Sequence, residues 1–240
     1  MRAIILAAGR GSRLKSLTKN KPKCFLKINN KKIITHQIDA LKKNGIDNIA
    51  VVVGYKKNLF KKLNLKIIFN KNWNKTNMVY SLFKASYWLK NEDCIICYGD
   101  IIYDNSIIKK LKNSKKKILL PSNVNWKKNW SLRYQNPLTD LETFKVNKNG
   151  TLKEIGNKAQ GYSEIQGQFM GLIKIDKRSI QKFIKIYKNL PLKKKLNLDF
   201  TSFLNLSIKK YKIKINVIRI KNKWFELDNF KDLQVIKKFY

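Results

Sequence analysis

The stretch Met1-Arg2-Ala3-Ile4-Ile5-Leu6-Ala7-Ala8-Gly9-Arg10-Gly11-Ser12-Arg13-Leu14 decides the fold reading of this chain. Residues 2–7 form a short, continuously apolar run, as expected of a strand covered on both faces. A basic residue, an apolar run and small residues also have the outline of a secretory leader. The apolar part is too short for one, and Arg10 and Arg13 follow at once, so a buried first strand is expected. Small residues in the next loop let its backbone approach a ligand closely, and successive N–H groups there can form a concave anion site. Arg13 adds a planar fork matched to phosphate oxygens. A loop at the carboxyl end of a parallel strand is where open α/β sheets bind ligands. Two familiar phosphate loops are excluded. Leu14 stands where a G-x-G-x-x-G loop needs glycine, and G-x-x-x-x-G-K-[ST] occurs nowhere. On these residues alone, a ligand loop and a solvated turn both remain open.

Outward from that stretch, strand and helix patterns alternate. Ile34, Ile38 and Leu41 have helical spacing ahead of Gly45, and residues 48–53 read as the next buried strand. Residues 55–63 read as a basic helical segment and 66–69 as a third strand. Asn77 can cap a helix through Leu89, and residues 94–98 form a fourth strand ending at Gly99-Asp100. A helix over 107–111 and a strand over 118–120 follow. Such repeated units predict a mainly parallel, Rossmann-like sheet with helices on both faces. After Pro121 the texture changes. Asn147-Lys148-Asn149-Gly150 separates two strand-like runs and signals a hairpin. Residues 168–175 and 213–220 read as strands; 177–187, 200–210 and 229–239 read as helices. With no linker-like stretch or repeat, residues 1–240 are expected to form one domain with a small antiparallel insertion at about 122–175.

Composition narrows the function classes. The chain has 240 residues, 43% of them hydrophobic and 11% aromatic, too apolar for a disordered polyelectrolyte. No apolar run approaches the ~20 residues of a membrane helix. Three cysteines and no export signal point to a reducing cytoplasm. Fifty-three basic against 15 acidic residues give a formal net charge of +38. A nucleic-acid surface is one reading of that charge. Only six basic residues are Arg, however, and the lysines are spread along a chain also crowded with Asn and Ile. All three residue types have A/T-rich codons, so compositional drift is the preferred explanation, with no nucleic acid and no membrane insertion expected. Cys94 and Cys97 look like a metal or redox pair, but their spacing inside a strand points them to opposite faces. His36, the only histidine, excludes His-based triads.

The pattern L-A-A-G-x-G-S-R-L…L-T…P-K…L, running from Leu6 to Leu26, resembles the N-terminal signature of nucleotidyltransferases that activate a phosphorylated small molecule with an NTP. The resemblance implies that Leu6, Ala7, Ala8, Gly9, Gly11, Ser12 and Arg13 wrap the nucleotide triphosphate while Lys23 meets the reacting phosphates, making Lys23 and Arg13 the catalytic cations. It also implies a metal-binding aspartate after a strand, matched by Tyr98-Gly99-Asp100. A second stands in a W-x-E-x-D pattern, matched by Trp224-Phe225-Glu226-Leu227-Asp228. Hard Mg²⁺ favours one or two carboxylates plus phosphate oxygens, so Asp100 and Asp228 are its expected ligands.

Further along, Asn77-Met78-Val79-Tyr80-Ser81-Leu82 resembles the branch of cytidylyltransferases acting on phosphocholine, phosphonates and phosphorylated amines or amides such as phosphoglutamine. In that branch Asn77, Ser81, Tyr98 and Gly99 belong with the nucleotide. The segments carrying Trp126, Trp130 and Arg133, then Asn136 to Phe144, then Glu164 to Leu172, look similar too. They imply an acceptor site built from Trp126, Trp130, Arg133, Glu164, Gln166, Gln168 and Glu226. Trp126, Trp130, Tyr162 and Phe169 form a candidate cation–π box, and Glu164, Glu142 or Asp140 is the candidate partner of a primary ammonium. Arg133 and Lys158 are candidates for the acceptor's phosphate. Ser122-Asn123-Val124-Asn125 departs from the pattern, which has a carboxylate there. The resemblance implies transfer of CMP from CTP with release of pyrophosphate, yielding a CDP-linked headgroup for a surface glycan or lipid. Two other readings stand beside it: a sugar-1-phosphate nucleotidyltransferase using UTP, dTTP or GTP, and a non-catalytic nucleic-acid-binding protein.

Overall fold

A computed structural model describes residues 1–240. Its central sheet has eight strands. Arg2–Ala7 lies in the middle, parallel to Ile49–Val53 on one side and to Cys94–Tyr98 on the other. Lys66–Phe69 continues the parallel set beyond Ile49–Val53. On the far side, Leu172–Ile175 runs antiparallel to both Cys94–Tyr98 and Ile118–Asn123. Asn216–Ile220 then pairs in parallel with Ile118–Asn123. The expected mainly parallel sheet is present, with one reversed position in its interior.

The strands are apolar throughout because both faces are covered. Ile5, Ala7, Val51, Val53, Ile95 and Cys97 pack into one apolar layer. Their alternate neighbours Ile4, Leu6, Ala50, Val52, Cys94 and Ile96 pack into the other. This period of two sends Cys94 and Cys97 to opposite faces, as their spacing requires. Helix Ile33–Lys42 covers the first layer through Ile34, Ile38 and Leu41. Helices Met78–Lys84, Lys177–Lys188 and Phe200–Lys209 cover the second through Leu82, Phe183 and Phe203.

Several local expectations change. Residues 57–63 form tight 3-10 turns instead of an α-helix, bounded by Lys56 and Asn64 in the left-handed region. The helix expected over 77–89 breaks at Ala85 into Met78–Lys84 and Ser86–Leu89. The strand expected over 168–175 is split. Gln168–Phe169 pairs with Ile118–Asn123, and Gly171 at φ +68° then turns the chain before Leu172–Ile175. A Cβ on Gly171 would sit 3.0 Å from the Tyr98 side chain, so only glycine passes without strain. The Asn147–Gly150 turn joins Glu142–Val146 to Leu152–Lys158 in an antiparallel pair, as the Asn-Gly signal predicts. Helices Trp126–Arg133 and Leu192–Asn197 have no counterpart in the sequence reading.

One small sheet matters most for the site. Ile101–Tyr103 pairs antiparallel with Trp224–Glu226, setting Glu226 opposite Ile101. The Leu227 N–H then donates to the Asp100 carbonyl at 2.9 Å. Two segments more than a hundred residues apart are thereby zipped together beside the carboxyl end of Cys94–Tyr98.

Candidate active site

The glycine loop is held open by its own chemistry. Gly11 adopts φ +78°, and a Cβ there would lie 2.6 Å from the Lys23 Cβ. Thr18, fully buried, donates from its hydroxyl to the Gly11 carbonyl at 3.0 Å. The Lys23 N–H donates to the Arg10 carbonyl at 3.2 Å. Pro22, which has no N–H to satisfy, precedes this turn. The loop is thus folded back onto Lys23, and Leu6, Ala7, Gly9, Gly11, Lys23, Gly99 and Asp100 line a cleft of about 150 Å³.

At the floor of that cleft the Lys23 Nζ lies 2.7 Å from Asp100 Oδ2 and 2.9 Å from Asp228 Oδ1. Burial alone would lower its pKa, but Asp100 and Asp228 outweigh that and hold the ammonium charged. For Asp228, burial opposes ionisation. Lys23 first, then Arg133 and Arg13, prevail and hold its carboxyl below the ordinary range. Arg13 is largely exposed, its guanidinium 3.8 Å from Asp228 Oδ1. Carboxylate oxygens of Asp100, Glu226 and Asp228 lie within 4.8 Å of one another. Glu226 is raised well above its ordinary pKa, by burial first and then by Asp228 and Asp100. Asp100 Oδ1 is buried with no hydrogen-bond partner. An all-oxygen donor set with one orphaned carboxylate oxygen suits a hard divalent cation.

A second pocket, of about 260 Å³, adjoins the first and shares Met78 with it. Tyr98, Trp130, Phe169 and Phe200 give it aromatic walls, and Asp140, Glu142, Asp199, Glu226 and Asp228 supply carboxylates; no Lys or Arg lines it. Trp130 is fixed by its Nε1, which donates to Asp140 Oδ2 at 3.0 Å. The Tyr98 ring meets Phe169 edge-on at 5.5 Å. Glu142 is raised above its ordinary pKa by burial first and then by Asp199 and Asp140, against a hydrogen bond from Thr201.

The expected site residues divide between those that converge here and those that do not. Leu6, Ala7, Gly9, Gly11, Lys23, Gly99 and Asp100 meet in the first cleft. Ala8 is buried beneath it, accepting the Tyr55 N–H at 2.9 Å. Ser12 is exposed at the start of the turn that continues to Thr18. Tyr98, Trp130, Gln168, Glu226 and Asp228 meet in the second pocket, where Gln168 Nε2 donates to the Glu142 carbonyl.

Others are committed elsewhere. Ser81 is buried, its hydroxyl accepting from Asn70 Nδ2 at 3.0 Å, and Asn77 caps the helix by accepting from the Met78 N–H. Trp126 packs against Tyr162 with ring centroids 5.9 Å apart, outside the pocket, so only Trp130 and Phe169 of the four-aromatic box line it. Glu164 pairs with Lys145 at 2.8 Å, and Gln166 Oε1 accepts from the Val146 N–H at 2.6 Å. Both are spent on securing the Glu142–Val146 strand, which explains their distance from the pocket. Arg133, expected at the acceptor's phosphate, has its guanidinium bound to Asp232.

Asp199, Phe200 and Thr201 in the pocket wall were not expected from the sequence, whereas Glu226 joins Asp100 and Asp228 in the carboxylate cluster as expected. An aspartate three residues before Ser202 is a helix-cap signal, and Asp199 does accept from the Ser202 N–H. Nothing local marks its proximity to Glu142, which depends on tertiary packing.

The pattern of the family described as the MobA-like NTP transferase domain matches residues 3–141. The chain is 41% identical to the CTP:phosphoglutamine cytidylyltransferase of Campylobacter jejuni, across 98% of each chain. It is also 41% identical to the choline-phosphate cytidylyltransferase of Streptococcus pneumoniae, across 38% of this chain and 42% of that one. Among solved structures, the inositol-1-phosphate CTP transferase of T. maritima has a TM-score of 0.81 at 20% identity, covering 98% of this chain and 93% of that one. The S. pneumoniae CTP:phosphocholine cytidylyltransferase has a TM-score of 0.73 at 21% identity, covering 99% and 97%. At those identities the structures speak for the fold, and it is this nucleotidyltransferase fold. A match across more than half of the chain, and a relative aligned over almost all of it, show that the chain belongs to the MobA-like NTP transferase domain family of nucleotidyltransferases.

Proposed function

We propose that the chain transfers CMP from CTP to a small phosphorylated acceptor whose far end carries an ammonium, releasing pyrophosphate. Phosphoglutamine is the foremost acceptor, followed by phosphocholine and phosphonates. The observation that carries this reading is the position of Lys23. It lies between Asp100 and Asp228, where the glycine-loop cleft meets an aromatic pocket walled by carboxylates. A near-neutral sugar ring has no need of such a pocket, whereas an ammonium is matched by Asp140, Glu142 and Asp199. Likeness to a phosphoglutamine enzyme along almost its whole length supports the same acceptor class.

The reaction asks for alignment and charge neutralisation more than for proton transfer. An anionic oxygen of the acceptor's phosphoryl group attacks the α-phosphorus of CTP. The new P–O bond forms as the bond to the bridging oxygen breaks, and pyrophosphate leaves with that electron pair. No general base is required, because the attacking oxygen carries no proton. Lys23 holds a full positive charge beside the cleft expected to take the reacting phosphates, in a site that is largely out of water, where such a charge acts most strongly. Arg13, exposed at the rim, is free to swing its fork onto the triphosphate. Backbone N–H groups of the glycine loop approach the phosphates closely because no side chains intervene. Mg²⁺ is the expected cofactor: Asp100 and Asp228 would hold it with Glu226 in reach, and it would further neutralise phosphate charge when bound. Trp130 and Phe169 offer aromatic surface to the acceptor's cationic end. The substrates suit the cytoplasm, and the product suits delivery of a CDP-linked headgroup to a surface glycan or lipid.

Release of pyrophosphate from CTP, UTP, GTP and dTTP against a panel of phosphoglutamine, phosphocholine, 2-aminoethylphosphonate and glucose-1-phosphate tests the reading. CTP with a phosphorylated amine or amide is expected to exceed every sugar-phosphate combination by at least about 100-fold in kcat/KM, about 2.7 kcal/mol. A preference for UTP or dTTP with the sugar phosphate overturns it.

A further inference from the structure

Arg133 ends helix Trp126–Arg133 with a side chain only 5% exposed, and its partner Asp232 is fully buried. Nε donates to Asp232 Oδ1 at 2.7 Å and Nη2 to Oδ2 at 3.2 Å, a two-pronged contact that fixes both planes. The same Oδ2 accepts the backbone N–H of Asp228 at 2.7 Å and of Asn229 at 2.9 Å. Asn229 returns the favour by accepting the Asp232 N–H, closing a capping box on helix Phe230–Phe239. The peptide that carries the Asp228 side chain therefore hangs from Asp232, and Asp232 is oriented by Arg133. Nη2 is also 3.8 Å from Asp228 Oδ2. The guanidinium lies over the Trp130 ring at 5.0 Å, and Trp130 stacks on Trp224 at 6.1 Å.

A buried ion pair is weak support for stability, since well-packed apolar residues of like volume often do as well or better. This one fixes the geometry of a site residue at its far end. We propose that Arg133 is a positioning residue: through Asp232 it sets the direction of the Asp228 carboxylate on its metal-facing side. Trp130, one turn earlier on the same helix, meanwhile lines the adjoining pocket. The inference rests on the metal reading given under Proposed function.

Mn²⁺, a paramagnetic substitute for Mg²⁺, tests it by titration of the protein with a non-hydrolysable CTP analogue, against the analogue alone, with electron paramagnetic resonance detection. Arg133→Lys keeps a cation beside buried Asp232 but loses the fork. Its Mn²⁺ dissociation constant is expected to rise about tenfold, within the range for residues that orient a metal ligand. In steady-state assays the loss should appear at low metal and be recovered by added metal, with the KM for CTP at saturating metal changed less than about twofold. Thermal melting confirms that the variant is folded. The double variant Arg133→Met/Asp232→Asn leaves no lone buried charge, and serves if Arg133→Lys fails to fold. Folded variants that bind Mn²⁺ as tightly as the wild type overturn the positioning role while leaving the metal reading intact. A wild-type protein that does not bind Mn²⁺ overturns both.

Discussion

Three features of the chain place Lys23. Gly11 leaves room for its methylenes, the Arg10 carbonyl holds its N–H, and Asp100 and Asp228 hold its ammonium. Lys23→Met should lower kcat by about 10²–10³-fold, the scale for removing one aimed charge from a transferring group. CTP titration should reveal a smaller change in KM. The meeting of Lys23 and Asp100 in one cleft was anticipated from the family resemblance, because each stands in a short pattern of residue types. The surroundings of Arg133 and Ser81 were not, because whether a buried polar side chain faces ligand or protein depends on partners contributed from elsewhere, here Asp232 and Asn70.

Glu142 gives a residue-scale prediction with a sign. Its carboxyl pKa is raised in the folded protein by burial, Asp199 and Asp140. As pH falls through that raised value, Glu142 takes up a proton and loses its attraction for an ammonium. The acceptor KM should therefore rise on acidification, and Glu142→Gln should raise it at neutral pH and flatten the profile. Linkage runs the other way for stability. A raised acid binds protons more tightly folded than unfolded, so its contribution favours folding below the unfolded pKa and is progressively lost as pH rises through the folded pKa. Glu142→Gln should accordingly raise the melting temperature at neutral pH while weakening acceptor binding. A lower melting temperature, or an unchanged acceptor KM, contradicts this.

At the scale of elements, the parallel strands were readable because both faces are buried and their apolar runs are continuous. The reversed strand was readable as a strand, but not its direction or its break at Gly171, where φ is +68°. The pairing of Ile101–Tyr103 with Trp224–Glu226 decides the site, yet each segment is three residues long and carries no periodicity. Only the expected metal pair hinted that the two meet. Helix Phe200–Lys209 was readable as a helix, but not the place of its first turn in the pocket wall. Asp199 caps it by accepting from the Ser202 N–H at 2.7 Å and the Ser202 hydroxyl at 2.8 Å. Asp199→Ala should cost about 1 kcal/mol of stability, the usual value of a lost cap. Because this cap also walls the pocket, acceptor KM should rise together with the fall in denaturation midpoint.

At the scale of the whole molecule, the charge of +38 is less informative than where the 15 acidic residues lie. Asp100, Glu226 and Asp228 form one cluster, and Asp140, Glu142 and Asp199 line the pocket beside it. Six of 15 converging on one place mark it as a selected feature against a lysine-rich background. The surrounding positive field should steer anionic CTP inward, so kcat/KM for CTP should fall as salt rises from about 50 to about 300 mM while kcat holds. A salt-insensitive kcat/KM would mean that the excess of lysine contributes nothing to encounter.

Transfer of CMP is proposed to occur where Lys23, Asp100 and Asp228 meet. Its most direct test is ³¹P NMR of CTP and phosphoglutamine with the wild type and with Asp100→Asn. Pyrophosphate and a CDP-linked product are expected in equal amounts from the wild type, with a rate at least about 100-fold lower from the variant. Undiminished turnover by Asp100→Asn, or pyrophosphate released without a phosphorylated acceptor, would contradict it.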